Sequence, residues 1–464
     1  MERQTLLTEG KVTQTLLKFS LPFLLANILQ ALYGASDLFM VGRFSNSAGV
    51  SAVATGGQIM QTITGLSIGL TTGGTVLIGQ YYGAKRGRDV VNAVKTVFWV
   101  FGALSIAMTC GTILLLDPIC HVMQVPPEAY DLTKEYLFLC SLGILFIVGY
   151  NALSGVLRGL GDSKTPLLFI AIACVINVST DVLFVGVFKL GAPGAAVSTV
   201  IAQAASLLLA GCYLASKGFL KKYKSARPCF RLYAAKGMLS AGLPIACQEG
   251  LVNLSFLIIT SMVNGMGLIA SAALGVTEKL IVFSMLPATA FASAIAAMTA
   301  QHKGAGLMGR ARKCLQAGIA SALIFGVSCF LWAQWDAPML VSFFTEDPLV
   351  IAAGAQYLRS YSIDCILVCF VFCMNSFFSG SGHTVFPLVH SAIATFLVRI
   401  PLSYFLSRPG QSSMLLLGFA APAATLLSLL LCQYYLEKHY EKKSVRAHRQ
   451  SLYARNIKKR SLTS

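Results

Sequence analysis

Two polar side chains, Asn177 and Asp181, interrupt the apolar stretch of residues 174–184. They stand four positions apart, just over one helical turn, so an amide and a carboxylate share one helix face. An ionised aspartate inside a membrane helix costs about 2.5–3.5 kcal/mol on insertion scales, and we therefore expect this face to turn away from lipid. Carboxylate and amide oxygens can relay protons or bind a small hard cation such as Na⁺. Neighbouring helices must supply the partners of this pair.

The composition is that of a membrane protein. Of the 464 residues, 56% are hydrophobic and only 12% are charged, whereas a soluble domain carries about a quarter charged residues. The net charge of +18 falls in short connections and one terminal tail. That distribution is typical of cytoplasmic loops and not of a nucleic-acid-binding surface. We expect one all-α membrane protein that contacts the lipid bilayer and binds no nucleic acid.

A membrane-spanning helix needs about 20 mostly apolar residues, and about twelve segments meet this requirement. They cover residues 16–41, 50–79, 93–116, 132–157, 166–188, 194–215, 238–264, 270–300, 314–335, 352–378, 386–406 and 413–436. Residues 1–15 are polar and lack the apolar core of a cleavable signal, so the first span is expected to direct insertion.

The charges of the connections predict the orientation. Lysine and arginine concentrate after spans 2, 6 and 8 and in the tail, as at Lys85, Lys221, Arg310 and Lys442. The alternate connections are poor in basic residues and contain Asp117, Glu128, Asp131, Asp336, Glu346 and Asp347. By the positive-inside rule both termini are cytoplasmic. We expect a multi-pass protein of the plasma (inner) membrane.

The chain repeats itself after 221 positions. Gly79-Gln80 and Gly83-Ala84 correspond in this way to Ala300-Gln301 and Gly304-Ala305. Each half contains six spans and so enters and leaves on the same side of the membrane. Two six-helix lobes related by a pseudo-twofold axis along the membrane normal are therefore expected. The predicted parts are an N-lobe (1–215), a basic cytoplasmic linker (216–236), a C-lobe (237–437) and a basic cytoplasmic tail (438–464).

Four polar residues of the first lobe are predicted to lie at one depth. Asp181 lies 15 residues after Pro166 at the start of the fifth span, which is about 22 Å at 1.5 Å per residue. Asp37 lies in the outer half of the first span, and Thr199 about two turns into the sixth. One cation site is therefore expected from Asp37, Asn177, Asp181 and Thr199. Two alternatives stay open: Asp37 caps the first helix at the outer interface, or Asp181 makes only a structural hydrogen bond.

The second lobe lacks this pair: at the offset of 222 that relates Leu21-Pro22 to Leu243-Pro244, Arg399 stands where the repeat would place Asn177. Its acidic candidates are Glu249, Glu278 and Asp364. For Glu278, local pairing with Lys279 is the alternative to a functional role. No Cys-x-x-Cys pair, His cluster or nucleophile–base set is visible in the sequence, so we expect neither an enzyme nor a resident cofactor.

Several groups of residues together form a specific pattern. They are Pro22, Gln30, Tyr33 and Asp37; Gly79-Gln80 with Gly83-Ala84; Arg158-Gly-Leu-Gly-Asp-Ser-Lys-Thr-Pro166; Asn177 with Asp181; Gly382 to Pro387; and Arg399-Ile-Pro-Leu402. Over residues 16–436 the chain resembles the multidrug and toxic compound extrusion (MATE) family, and looks most similar to its damage-inducible (DinF-like) bacterial branch. One departure is His302, in a cytoplasmic connection, where the family usually has Asn.

The resemblance implies two lobes in a V and a secondary active multidrug efflux transporter. Export of amphipathic organic compounds would be coupled to entry of H⁺ or Na⁺ by alternating access. The resemblance places the cation at Asp37, Asn177, Asp181 and Thr199, with Na⁺ on the first three. Substrate contacts are expected from Gln30, Tyr33, Asn151, Glu249, Glu278 and Asp364.

The alternative function is that of a lipid-linked precursor flippase. It would call for a strongly basic central cavity, whereas the intramembrane basic residues are few and consist mainly of Arg399. Drug export is therefore the favoured hypothesis. We expect a monomer whose only bound species besides substrate is the coupling ion.

Overall fold

The computed structural model describes residues 7–45, 47–123, 125–216, 231–408 and 413–441. Within these ranges twelve helices are long and apolar enough to cross a membrane, which confirms the predicted all-α architecture. They are α1 (Val12–Phe44), α2 (Ala48–Gly83), α3 (Gly87–Leu114), α4 (Pro127–Gly159), α5 (Lys164–Val187), α6 (Gly191–Ser216), α7 (Leu232–Asn264), α8 (Leu268–Gly304), α9 (Met308–Ser342), α10 (Pro348–Gly380), α11 (Val385–Leu406) and α12 (Met414–His439).

Most helices are longer than the apolar segments that predicted them. α7 begins at Leu232, so residues 232–236 of the predicted linker are helical, and residues 217–230 lie outside the described ranges. Residues 438–441 of the predicted tail belong to the π-helix Glu437–Glu441, and residues 442–464 lie outside the described ranges. Hydropathy registers only the part of a helix that lies in hydrocarbon, while backbone hydrogen bonding continues through polar turns at the interface.

Two of the connections that are poor in basic residues contain structure that the sequence pattern did not predict. A short helix, Leu116–Val122, follows α3. Asp336, expected in a connection, lies inside α9 at a kink with φ −141° and ψ 69°. Pro338 explains the kink, because it lacks an N–H and its ring crowds the preceding turn. The Asp336 carboxylate then accepts a hydrogen bond from the Met339 N–H at 3.0 Å and caps the second segment.

α1–α6 form the first lobe and α7–α12 the second. The largest apolar core of the first lobe joins Val94 of α3, Leu137 of α4 and Ala195 of α6. A separate core joins Ile295 of α8 to Phe377 of α10 in the second lobe. Each lobe therefore encloses its own buried interior.

The first helix of each lobe divides its length between the two lobes. Leu16 and Phe19, near the start of α1, lie in the second-lobe core, whereas Val41, near its end, lies in the first-lobe core. α7 does the reverse: Met238 lies in the first-lobe core, and Ile259 packs in the second lobe. The lobes thus exchange the opening halves of α1 and α7.

Small residues bring α2 directly against α7. A Cβ added to Gly69 would lie 2.7 Å from the Ala246 Cα, and one added to Gly73 would lie 2.7 Å from the Gly242 Cα. Only glycine at these positions lets the two backbones approach so closely. This is the main contact between the lobes along their length.

At one end of the bundle the lobes are joined by a pair of reciprocal hydrogen bonds. The Gln80 side chain of α2 donates Nε2 to the Gly380 carbonyl of α10 at 3.1 Å. The Gln301 side chain of α8 donates Nε2 to the Gly159 carbonyl of α4 at 2.9 Å. Donors and acceptors are both separated by 221 positions, so the repeat of the sequence appears here as a pseudo-twofold relationship. This end carries the α2–α3 and α8–α9 connections and is called the basic side below.

Toward the opposite side, polar side chains of α2 and α7 are exposed. Gln58 and Gln61 continue the face of α2 that packs on α7 nearer the basic side, and both are exposed. On α7, Glu249 shares a face with Ala246 and is likewise exposed. We call this exposed region between α2 and α7 the inter-lobe cleft.

Candidate cation site

Asp37 of α1 is held by donors from two other helices. Its side chain is 5% exposed. Asn177 of α5 donates Nδ2 to Asp37 Oδ1 at 3.0 Å, and Thr199 of α6 donates Oγ1 to Asp37 Oδ2 at 2.9 Å. Tyr33, one turn before Asp37, donates its hydroxyl to the Thr199 backbone carbonyl at 3.3 Å. The geometry brings α1, α5 and α6 together around the Asp37 carboxylate.

Asp181 is fully buried beside this group. Its carboxyl group lies next to the Asp37 carboxyl and the Ser198 hydroxyl. In the described part of the chain, no donor with hydrogen-bond geometry reaches either Asp181 oxygen, and Asn177 Oδ1 and Ser198 Oγ also lack partners. Two buried ionised carboxylates only accept hydrogen bonds and repel each other, unless one is protonated and donates to the other or a cation binds to both. The unpaired oxygens form a set of acceptors suited to H⁺ or Na⁺.

The local structure of α5 explains how Asn177 and Asp181 are placed. Residues Lys164–Asp181 are regular α-helix, so the four-residue spacing puts both side chains on the face toward α1. The helix then changes to a π-helix over Val182–Val187. Short π-helical segments are frequent at functional sites. Nothing in the apolar sequence of this segment predicts the change.

The alternative that Asp37 caps the first helix at the outer interface is wrong. α1 continues from Asp37 to Phe44, and the Asp37 oxygens accept hydrogen bonds from α5 and α6 and not from a helix end. The residue is therefore an interior group that other helices position.

The first-lobe residues expected to contact substrate occupy three different environments. Gln30 is exposed three positions after Asn27, which donates Nδ2 to Thr289 Oγ1 of α8 at 3.1 Å. Gln30 therefore faces the second lobe. Tyr33 belongs to the cation site through its bond to Thr199. Asn151 is 7% exposed and lies within α4 of the first lobe.

The acidic candidates of the second lobe differ in their exposure and in their hydrogen-bond partners. Glu249 is exposed in the cleft, whereas Asp364 is 3% exposed, with Oδ1 lacking a donor among the described residues. Glu278 accepts a hydrogen bond from Thr260 Oγ1 at 3.3 Å. Arg399, at the position that the repeat assigns to Asn177, donates to Ser255 Oγ at 3.1 Å and stacks 4.2 Å from the centre of the Phe256 ring.

Two residues near the basic side are buried in a way that the sequence pattern did not indicate. His302 lies in the last turn of α8 and is fully buried, not in a connection as predicted. It directly follows Gln301, which is also fully buried. Gln301 was recognised only as a landmark of the repeat, although a glutamine at both repeat positions within mostly apolar helices could have indicated a contact between lobes.

The described residues contain no group of three His, Cys, Asp or Glu side chains that could hold a metal ion. The site on α1, α5 and α6 offers two carboxylates with neutral oxygens. That donor set fits a proton or an alkali cation better than a transition metal, which prefers imidazole or thiolate ligands.

The comparisons with known proteins agree with this architecture. The MatE family model matches residues 22–183 and 244–405. The chain is 29% identical over 459 residues to the probable multidrug resistance protein YoeA of Bacillus subtilis, covering 96% of this chain and 98% of the relative. It is 23% identical over 450 residues to the probable multidrug resistance protein NorM of Thermotoga maritima, covering 94% of each.

A solved structure described as the outward-facing conformation of a multidrug resistance MATE family transporter of the MOP superfamily superposes with a TM-score of 0.85. The identity is 19%, with 94% of this chain and 99% of that chain covered, so this likeness concerns the fold. The family model, in contrast, matches both six-helix halves and together more than half of the sequence. The chain therefore belongs to the MatE family, the multidrug and toxic compound extrusion transporters that its sequence pattern resembles.

Proposed function

We propose that the protein is a secondary active multidrug efflux transporter that exports amphipathic organic compounds in exchange for H⁺ or Na⁺. The observation that carries this proposal is the buried pair of Asp37 and Asp181, in which Asp181 has no donor among the described residues. Membership of the family and the names of the relatives, which include multidrug resistance proteins of Bacillus subtilis and Thermotoga maritima, support it.

Coupling would run through α1. A proton or Na⁺ at Asp37 and Asp181 removes the repulsion between two buried carboxylates and changes the packing of α1 against α5 and α6. Because Leu16 and Phe19 of the same helix lie in the second-lobe core, a shift of α1 alters the contact between the lobes. The cation and the substrate drive transport only if they favour different states of the cleft.

Substrate would bind in the inter-lobe cleft. Gln58, Gln61 and Glu249 are exposed there among apolar helix faces, and such a surface suits a largely apolar compound that carries a positive charge. We infer that the basic side is cytoplasmic, by the positive-inside rule, so that the cleft opens outward. A monomer in the plasma membrane with both termini in the cytoplasm completes the proposal.

A lipid-linked precursor flippase is less well supported. The exposed polar residues named for the cleft are neutral or acidic, whereas a lipid-linked diphosphate would need basic partners. Movement of such a lipid across proteoliposomes that contain the purified protein would favour the flippase.

The test is antiport by the full chain in proteoliposomes, with a cationic aromatic dye as substrate and the pH and Na⁺ gradients imposed separately. Asp37→Asn is expected to lose gradient-driven dye movement, because the side chain keeps its size but the site loses one of its two carboxylates. Asp131→Asn, an exposed carboxylate near the start of α4, is the matched control and should transport normally. Normal transport by Asp37→Asn would contradict the coupling mechanism.

A further inference from the structure

A basic pocket lies at the basic side of the membrane, where the start of α1 meets the start of α9. Its volume is about 990 Å³. The lining residues are Gly10, Lys11, Val12, Thr13, Gln14, Leu17, Arg310, Lys313, Gln316 and Ala317. Three of them are cationic and none is acidic, so the pocket has a concentrated positive potential next to the lipid headgroups.

One cation of the pocket is fixed in place. Arg310 donates Nη2 to the Gly10 carbonyl at 2.7 Å, and Gly10 has a φ of +73°, which favours glycine. Arg310 Nε is buried and has no partner among the described residues. Lys11 and Lys313 are both exposed around this anchored guanidinium. The arrangement leaves donors available for an oxyanion.

Exposed apolar side chains continue along both helices from the pocket. Leu17 forms part of the pocket wall, and Leu21, one turn further along α1, is 55% exposed. On α9, Ala317 lines the pocket and Ile324, two turns further, is 68% exposed. At spacings of four and seven residues these side chains lie on the same helix faces as the pocket residues. The charged mouth of the pocket is therefore followed on both helices by an exposed apolar side chain, and these two residues are called its apolar extension.

The charge of the pocket is not a general property of the repeat. Counting back 221 positions, Asp89 takes the place of Arg310, Asn92 that of Lys313 and Lys95 that of Gln316, while Leu232 stands 221 positions after Lys11. The three cations of the pocket therefore have no basic counterpart at their own repeat positions, although Lys95 stands at the equivalent junction of α7 and α3.

We propose that this pocket binds the phosphate of an anionic phospholipid, with Lys11, Arg310 and Lys313 on the headgroup and an acyl chain along Leu21 and Ile324. Free phosphate would use only the charged mouth and leave the apolar extension without a role. A lipid bound here would contact the opening half of α1 and the start of α9, which pack together in the second-lobe core.

The test uses the purified full chain, delipidated in a neutral detergent and titrated with phosphatidylglycerol or phosphatidylcholine under native mass spectrometry. The variant Lys11→Gln with Lys313→Gln changes two exposed side chains, and Arg86→Gln with Arg88→Gln removes the same charge from the α2–α3 connection. We expect on the order of tenfold weaker phosphatidylglycerol binding in the first variant and no change in the second. Inorganic phosphate at millimolar concentration should not displace the lipid.

Arg310→Gln supplies a second variant that should weaken phosphatidylglycerol binding, with its fold checked by thermal unfolding. Equal losses in the pocket variant and the Arg86 and Arg88 variant would overturn the proposal, because they would indicate only a general surface charge effect. Equal binding of phosphatidylcholine would overturn it as well. Displacement of the lipid by inorganic phosphate would show that the pocket binds the free anion instead.

Discussion

Gln301 donates a hydrogen bond to the Gly159 carbonyl across the lobe interface at 2.9 Å, and the Gln301 Oε1 atom accepts one from the Leu7 N–H at 3.2 Å. One buried amide thus joins α8 to the end of α4 and to the segment before α1. With the reciprocal bond from Gln80, it holds the basic side of the transporter closed.

Gln301→Ala is expected to destabilise the closed basic side. The substitution leaves the Gly159 carbonyl without its donor, and an unsatisfied buried group costs about 1–3 kcal/mol. That cost would shift the balance between closed and open basic side by about fivefold to a hundredfold. Distances between spin labels on the α2–α3 and α8–α9 connections would measure the shift. Gln58→Ala, an exposed glutamine of α2, is the control, and an identical distance distribution in Gln301→Ala would contradict the role of this bond.

Gly304→Ala should open the basic side by steric pressure. A Cβ on Gly304 would lie 2.8 Å from the Gln80 carbonyl carbon and 2.9 Å from the Ala84 nitrogen, both backbone atoms of the other lobe. Since backbone cannot move aside as a side chain can, the lobes must separate. Gly309→Ala is the matched control, because nothing lies within 4 Å of its Cβ position. Faster hydrogen exchange at the end of α2 in Gly304→Ala alone is the expected result; equal exchange rates would count against the contact.

Asn177→Ala tests how Asp37 is positioned. It removes the donor to Asp37 Oδ1, and a hydrogen bond to a charged group contributes about 1.5–3 kcal/mol. We expect the cation-driven transport rate to fall by about tenfold or more, with little change in equilibrium substrate binding in the cleft. Ser179→Ala on the same helix loses only a bond to its own backbone at Val175 and should behave as wild type. Parallel losses of dye binding and transport would indicate a general packing defect instead.

The short helix Leu116–Val122 should be attached to α4 in a pH-dependent way. Asp117 contacts Lys134 Nζ at 2.6 Å and accepts a hydrogen bond from the Tyr130 hydroxyl at 2.9 Å. The Lys134 bond, and then the Tyr130 bond, lower the pKa of the Asp117 carboxyl below its ordinary value. The attachment is therefore complete above the unfolded-state pKa and is lost as the pH falls through the lowered pKa.

Hydrogen exchange of the amides of this short helix, compared between neutral and acidic pH and corrected for intrinsic rates, would measure that loss. Asp117→Asn should remove the difference between the two conditions. Persistence of the pH dependence in Asp117→Asn would assign it to another group.

The sequence predicted the twelve spans, and that Asp37, Asn177 and Thr199 would meet, because both depend on lengths along the chain. An apolar run longer than the bilayer must cross it, and counting residues from Pro166 gives the depth of Asp181. Depth does not determine rotation about the helix axis. For that reason the sequence could not show that Asp37 receives donors from both Asn177 and Thr199 while Asp181 receives none. Asn151, expected among the substrate contacts, is buried in the first lobe, and its role stays a prediction.

Other features could not be predicted, because hydropathy does not report helix ends, local changes of helix geometry or contacts between the lobes. The burial of His302 follows from the extension of α8 by one turn beyond its apolar segment. The kink at Asp336 and the π-helix after Asp181 are local departures from regular helix that hydropathy does not register. The repeat came closest to revealing the interface, since its best-preserved positions, Gln80 and Gln301, are the residues that form it.

The exchange of the opening halves of α1 and α7 has a consequence for how such a chain can arise and fold. A single six-helix half made alone would expose Leu16 and Phe19, or Met238 in the other half, where the partner half now covers them. The pairing resembles a domain-swapped dimer whose two subunits have been joined into one polypeptide. The halves, expressed as separate chains, should therefore find each other in the membrane, and neither should be fully assembled before the other is present.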